Sequence, residues 1–161
     1  MLGAATRFFS SSPEKTLTIP STAYKVITVG AYDAAYESYA DFSGRGCCFS
    51  DQKGLFAGGS GSIKPDLAAP GVNVQTLGLN GETRIVTGTS FATPFVTGSA
   101  ALLMEWGIVQ GNDPFLYGEK VKAYLRKGAR PLRGEAEYPN DRVGYGRLCL
   151  ESSLPVVDRN I

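Results

Sequence analysis

An uncharged stretch between Arg84 and Glu105 has the clearest hydrophobic pattern in the chain. From Ser90 onward its apolar residues recur at helical spacing and spread to nearly every face, which is typical of a helix buried in a core. Pro94 fits only the first turn, where its missing N–H would have no intrahelical partner in any case. The pattern therefore predicts a buried helix that begins near Ser90 and ends at about residue 106.

Three other segments have the pattern of strands. Residues 25–32, KVITVGAY, are β-branched and nearly all apolar, which favours a strand buried on both faces of a parallel sheet. Residues 72–77 and 83–87 predict two short strands, and the Asn80-Gly81 turn between them predicts a hairpin. Residues 39–71 are dense in Gly, Ser and Pro, and we interpret them as a long irregular connection.

Two more helices are predicted in the last third of the chain. Asp113 fits the cap of the first one, Pro114 its first position and Gly128 its end. Its inner stripe holds Leu116, Val121, Tyr124 and Leu125, while Lys122, Arg126 and Lys127 face its negative end. Residues 145–154 predict a short terminal helix. The order of strands and helices indicates an incomplete α/β domain.

Composition excludes several classes of partner. The chain has 161 residues and 43% hydrophobic content, with 16 basic and 15 acidic residues. That balance argues against nucleic acid or an anionic membrane surface as a partner. Hydroxyl side chains and glycines dilute the stretch before Glu105 too far for a membrane span, so we expect none.

The counts of histidine and cysteine narrow the possible chemistry. The chain has no histidine, and its three cysteines, Cys47, Cys48 and Cys149, are too few and badly spaced for a disulfide framework. We expect free thiols, no metal and no cofactor. The first residues have too short an apolar run for a signal peptide. We expect a polar arm over residues 1–16, a domain over residues 17–154 and a tail over residues 155–161.

Ser90 has the surroundings of a nucleophile. It follows Gly88 and Thr89 at the predicted start of a helix, where unpaired N–H groups and the positive dipole end favour negative charge. Acyl transfer needs such donors for the oxyanion of its tetrahedral intermediate. The hydroxyls of Thr87 and Thr89 are expected to cap the helix, and from the residues alone a capping role is favoured for Ser90 as well.

Longer motifs favour a catalytic role for Ser90 over a capping role. GTSFATPFVTGSAALL, from residue 88, resembles the serine-box signature of the subtilisin-like serine peptidases, with matches at Gly88, Thr89, Ser90, Ala92, Pro94 and Gly98. KPDLAAPG, KVITVGA followed by YADFSGRG, and GYGRL are similar to other segments of that family, in the same order. The sequence of residues 16–34 looks closest to a bacterial branch of this family that includes clostridial spore-germination proteases.

The resemblance implies a fold, a reaction and a nucleophile. It covers about residues 17–154, as the C-terminal part of a parallel-sheet, three-layer α/β fold with a buried helix after the nucleophile. It implies a serine-type endopeptidase that acts on protein or peptide substrates through an acyl-enzyme on Ser90. Phe95 stands where the signature usually has histidine, and we interpret it as a packing position. Thr87 replaces the usual asparagine, which alters a peripheral contact to substrate.

The catalytic histidine and aspartate of this family are missing. Asp41 and Asp66 lie in matching stretches but not at the triad position, and we interpret Asp66 as a loop residue that bonds nearby backbone. The simplest account is a fragment, inactive alone, that lacks the N-terminal half of a domain of about 250 residues or more. A half-built sheet is expected to self-associate. Two alternatives are a catalytically dead binding or regulatory protein and a Ser90–Lys64 catalytic pair.

Overall fold

The computed structural model describes residue 10 and residues 12–46 and 63–155. Cys47 and Cys48, most of the predicted arm and nearly all of the predicted tail lie outside the described residues. The strands are β1 (Val29–Asp33), β2 (Ser38–Tyr39), β3 (Leu67–Pro70), β4 (Val74–Leu77) and β5 (Thr83–Val86). The helices are α1 (Thr89–Met104), which continues as a π-helical turn (Glu105–Val109), α2 (Glu119–Lys127) and α3 (Leu150–Ser153).

The main sheet has the order β2-β1-β3, with β1 parallel to β3 and antiparallel to β2. The predicted parallel strand in residues 25–32 is confirmed, although β1 begins only at Val29. The prediction of an irregular connection over residues 39–71 is wrong at β3. That strand is short and rich in alanine, so its own sequence favours a strand weakly. It pairs with β1 on one side, and on the other Leu148 N–H donates to Ala68 O over 2.8 Å.

Residues of β3 alternate between two apolar cores, which explains why this strand has no polar face. Leu67 and Ala69 point into the larger core with Ala92, Val96, Leu103, Leu116, Val121 and Leu125. Ala68 points the other way and packs with Tyr32, Leu132 and Val143. All three residues are completely buried. The sheet is therefore covered on both faces, as the predicted α/β class requires.

The predicted hairpin is confirmed. β4 and β5 pair antiparallel from Val74 opposite Val86 to Leu77 opposite Thr83. Gly81 has a φ of 76°, the left-handed conformation that an Asn-Gly turn supplies. The hairpin forms a separate two-stranded sheet, and it leaves Ile85 72% exposed.

Helix α1 begins where the sequence predicts, but the prediction of burial on all sides is wrong. Its buried residues are Ala92, Val96, Ser99 and Leu103, which form one stripe against β1 and β3. Phe95 is 42% exposed and Leu102 53% exposed, so the interpretation of Phe95 as a packing position fails within the described residues. The opposite side of α1 is left exposed by the part of the chain that the structure describes.

The segment Thr89–Val109 is long and apolar enough, by length and composition, to cross a membrane. The core helix of a soluble protein passes the same test. The absence of a membrane span remains a prediction.

Helix α2 begins later than predicted, and α3 is shorter. Gly118, not Asp113, precedes the first residue of α2. The Asp113 carboxylate instead accepts hydrogen bonds from Lys120 Nζ at 2.6 Å and Tyr124 OH at 3.0 Å. The predicted end at Gly128 is confirmed. The terminal helix begins only at Leu150, because residues 146–148 are extended and pair with β3 and with Arg130.

Candidate active site

Ser90 is the second residue of α1 and is exposed to solvent. Gly88 precedes the helix with φ 152° and ψ 158°, a backbone conformation that residues with a Cβ rarely adopt. Its carbonyl accepts the N–H of Phe91 at 3.0 Å. The N–H groups of Thr89 and Ser90 have no acceptor within the helix, so this end of α1 favours a negative charge beside the Ser90 hydroxyl.

Backbone contacts hold the turn before Ser90 against the sheet. Gly88 N–H donates to Gly71 O over 2.8 Å. A Cβ on Gly71 would lie 2.7 Å from the Cβ of Ala31 and 3.1 Å from Gly88 O, so only glycine allows this approach. The turn thus follows β3 closely, and the start of α1 is fixed relative to β1.

The hydroxyl groups near Ser90 are not helix caps. No side chain caps α1, which contradicts the expectation for Thr87 and Thr89. The Thr87 hydroxyl accepts the N–H of Asn73 at 3.0 Å. Further along, the hydroxyls of Thr93 and Thr97 donate to the carbonyls four residues earlier, at 3.1 and 3.2 Å. The hydroxyls of Thr87, Thr93 and Thr97 therefore bond to backbone groups, whereas the Ser90 hydroxyl has no such bond within the described residues.

Ser90 opens onto a cleft of about 590 Å³. Thr89, Ser90 and Thr93 form its side on α1. The segments that face them contribute residues 26–29, residues 41–44 and several residues between 13 and 21. A cleft of this size accommodates a side chain or a short length of peptide next to the hydroxyl.

Neither a histidine nor a lysine lines the cleft beside Ser90 among the described residues. The chain has no histidine. Lys64 is 1% exposed, and its Nζ donates to Val26 O at 2.7 Å and to the Asp66 carboxylate at 2.8 Å. Lys64 does not line the cleft, so the alternative of a Ser90–Lys64 pair is contradicted. Within the residues described, no group of three potential metal ligands occurs.

Asp66 lies at the centre of a buried ionic cluster that sequence reasoning missed. One carboxylate oxygen accepts Lys64 Nζ at 2.8 Å and the N–H of Thr28 at 2.6 Å. The other contacts Lys122 Nζ at 3.1 Å and the guanidinium of Arg126. The interpretation as a loop residue bonding nearby backbone is therefore incomplete, since its partners come from three parts of the chain. The prediction that Lys122 faces the end of its helix is wrong.

Burial and charge act against each other in this cluster. Burial alone would raise the pKa of Asp66, but hydrogen bonds from Lys64 and from Thr28 N–H outweigh it and lower that pKa below its ordinary value. Burial lowers the pKa of Lys122 from 10.5 to about 8, against the attraction of Asp66. Lys122 Nζ also donates to Tyr24 O at 2.7 Å and Val26 O at 3.0 Å. The cluster therefore ties the wall of the cleft at Val26 and Thr28 to β3 and α2.

Comparison with known proteins identifies the family of this chain. Residues 4–146 match the model of the Subtilase family of peptidases. The chain therefore belongs to the subtilase family, and the resemblance carried by the serine-box motif is confirmed. Its relatives include serine proteases, so the family assignment is that of a serine-type peptidase.

Relatives in bacteria and animals share the same segment. The chain is 32% identical to the serine protease AprX of Bacillus subtilis, over 91% of this chain and 34% of AprX. It is 37% identical to the human membrane-bound transcription factor site-1 protease, over 89% of this chain and 12% of that protein. The structure of the Clostridium perfringens CspB protease aligns with a TM-score of 0.78 and 45% identity, over 92% of this chain and 29% of that one. The chain thus spans about a third or less of each of these three relatives.

Proposed function

We propose that this chain is the nucleophile-bearing part of a subtilisin-like serine endopeptidase, and that the catalytic histidine and aspartate come from residues outside it. The observation that supports this most directly is the position of Ser90. The chain belongs to a family of serine peptidases, and the Ser90 hydroxyl is exposed to a cleft at the first turn of α1. Protein or peptide is the substrate class.

The residues present account for part of the reaction. The Ser90 oxygen attacks the carbonyl carbon of the scissile peptide bond, and the resulting oxyanion is stabilised by N–H groups at the start of α1. The hydroxyl proton must pass to a base and then to the leaving amine. Since the chain has no histidine, Ser90 remains an unassisted hydroxyl, which is a poor nucleophile at neutral pH.

The chain alone is therefore inactive. In subtilisin itself, loss of the histidine costs on the order of a millionfold in turnover, a value that belongs to subtilisin and not to this chain. We expect the purified 161 residues to show no peptidase activity and no reaction with fluorophosphonate probes. Proteolysis by the purified chain that is lost in Ser90→Ala would show that another group serves as the base.

A chimera tests the proposal directly. The matching segment of the CspB protease is replaced by this chain, so that the remainder of CspB supplies the rest of the domain. A fluorophosphonate should label Ser90, and Ser90→Ala should abolish both labelling and peptide hydrolysis. Ser99→Ala is the matched control, because Ser99 is a buried serine of the same helix that does not line the cleft.

Two outcomes would overturn the proposal. The first is unchanged peptide hydrolysis by the Ser90→Ala chimera, which would place the nucleophile elsewhere. The second is a folded chimera that neither reacts with the probe nor cleaves peptides. That result would favour the alternative of a catalytically dead binding or regulatory protein, which the lack of histidine also suits.

A further inference from the structure

The cleft beside Ser90 contains one carboxylate. Among the described residues that line it, Asp41 alone is ionisable. Asp41 is exposed, and no described residue forms an ion pair or a side-chain hydrogen bond with it. The described lining of the cleft therefore carries a single negative charge, on the Asp41 carboxylate.

The backbone next to Asp41 is held firmly. Ser43 N–H donates to Ala40 O at 2.8 Å, which closes a turn around Asp41. The buried Ser43 hydroxyl accepts the N–H of Ala31 at 2.9 Å, and Tyr39 OH donates to the Ser43 carbonyl. These bonds attach the turn to β1, so the backbone of Asp41 has a fixed position relative to the sheet.

Two described arginines lie beside this turn without lining the cleft. The guanidinium of Arg45 lies 5.5 Å from the centre of the Tyr39 ring, and that of Arg142 lies 5.6 Å from it. Neither arginine lines the cleft. Arg45 reduces the field of Asp41 at a distance, but neither arginine lines the space that a substrate side chain would fill.

The remaining walls combine hydroxyl side chains with apolar ones, and Leu17, Val26, Ile27, Val29 and Phe42 are among the apolar lining residues. The apolar residues suit the methylene stem of lysine or arginine, and a carboxylate suits the charged end. A purely apolar side chain would cover Asp41 and remove water from a carboxylate that no described residue pairs with, which is unfavourable. We infer that Asp41 selects a basic side chain of the substrate close to the bond that Ser90 attacks. This inference rests on the proposed function.

Binding to the isolated chain tests the inference without catalysis. The probe is n-butylguanidinium, and its uncharged counterpart is n-butylurea, which has nearly the same shape. In NMR titrations, n-butylguanidinium should shift the amide signals of Ser43 and Ser90 and should bind about tenfold more tightly than n-butylurea, as expected for a hydrogen bond to a charged group.

Two variants assign that binding. Asp41→Asn should remove the preference for the cation, whereas Asp33→Asn should keep it. Asp33 accepts the N–H of Ala35 in the turn after β1 and does not line the cleft. Equal binding of the two probes, no binding of either, or an unchanged preference in Asp41→Asn would overturn the inference.

The active chimera gives a second readout. With Asp41 intact, kcat/KM should be about tenfold higher for a peptide with arginine or lysine at the selected position than for its glutamine analogue. Asp41→Lys should reverse this preference. If no chimera has Ser90-dependent activity, the proposed function fails, and the probe titration still decides the role of Asp41.

Discussion

The Asp66 carboxylate lies 3.1 Å from the ammonium of Lys122, and both side chains are buried. This contact belongs to a cluster in which three cations, Lys64, Lys122 and Arg126, share one carboxylate. Backbone carbonyls of Tyr24 and Val26 accept further hydrogen bonds from the two lysines. The cluster is therefore stable only while Asp66 is present and ionised.

Removal of the Asp66 charge should destabilise the fold strongly. We expect Asp66→Asn to lower the free energy of unfolding by about 3–5 kcal/mol, because three cations remain without a buried anion. Urea unfolding followed by circular dichroism measures this change. Glu82→Gln is the control, since Glu82 pairs with Arg84 on the surface and should have little effect. A loss below about 1 kcal/mol for Asp66→Asn would contradict a net stabilising role for the cluster.

Stability should also depend on pH through Lys122. Its pKa in the folded chain is about 8, below its ordinary value of 10.5. Between these values the unfolded chain binds more protons, so the contribution of Lys122 makes folding more favourable as pH rises from 8 to 10.5. The stability of the wild-type chain minus that of Lys122→Met should increase over this range. A flat difference for Lys122→Met would contradict the burial of its charge.

Two glycine substitutions should have opposite effects. Gly71→Ala forces a Cβ to within 2.7 Å of Ala31, and we expect it to destabilise the chain by about 1–3 kcal/mol. In contrast, a Cβ on Gly98 meets nothing within 4 Å, and Gly98→Ala in the middle of α1 should stabilise the isolated chain by about 0.5–1 kcal/mol. Thermal unfolding of both variants provides the measurement, and destabilisation of equal size would indicate that α1 is covered on that side.

The exposed face of α1 should cause self-association. Phe95 and Leu102 of α1 are 42% and 53% exposed, and Val109 of the π-helical turn is 79% exposed. Exposed apolar surface of this kind favours contact between molecules. Light scattering after size exclusion should show a mass that rises with concentration. The double variant Phe95→Gln, Leu102→Gln should remain closer to a monomer, whereas Phe115→Gln, outside α1, should not. A monomeric wild-type chain at all concentrations would contradict this expectation.

Local signals in the sequence predicted some elements well. The Asn80-Gly81 turn predicted the β4–β5 hairpin, and Pro94 placed the start of α1, because both depend on a few adjacent residues. Strand β3 was missed because its pairing is with residues distant in the chain. Burial of α1 was overestimated because composition does not show which faces meet a neighbour. Ser90 was found from its motif, and its catalytic role remains a prediction.

The ionic cluster shows a further limit of sequence reasoning. Lys122 and Arg126 lie on a short helix where cations commonly face water, and nothing adjacent to them identifies Asp66 as their partner. A weak signal was present in Lys122 itself, which follows Val121 at the edge of the apolar stripe. The cleft that contains Asp41 and Ser90 likewise joins segments that are remote in sequence.

The span of the cluster along the chain has a consequence for how the domain opens. Lys122 bonds to the Tyr24 carbonyl across 98 positions, Arg126 to Asp66 across 60, and Lys64 to Val26 across 38. If α2 detached by itself, it would leave Asp66 short of two cations and the Tyr24 carbonyl without its Lys122 donor, so partial opening is costly. Helix α2, the start of β3 and residues 24–28 should therefore unfold together as one cooperative unit, with a common free energy of opening in amide hydrogen exchange.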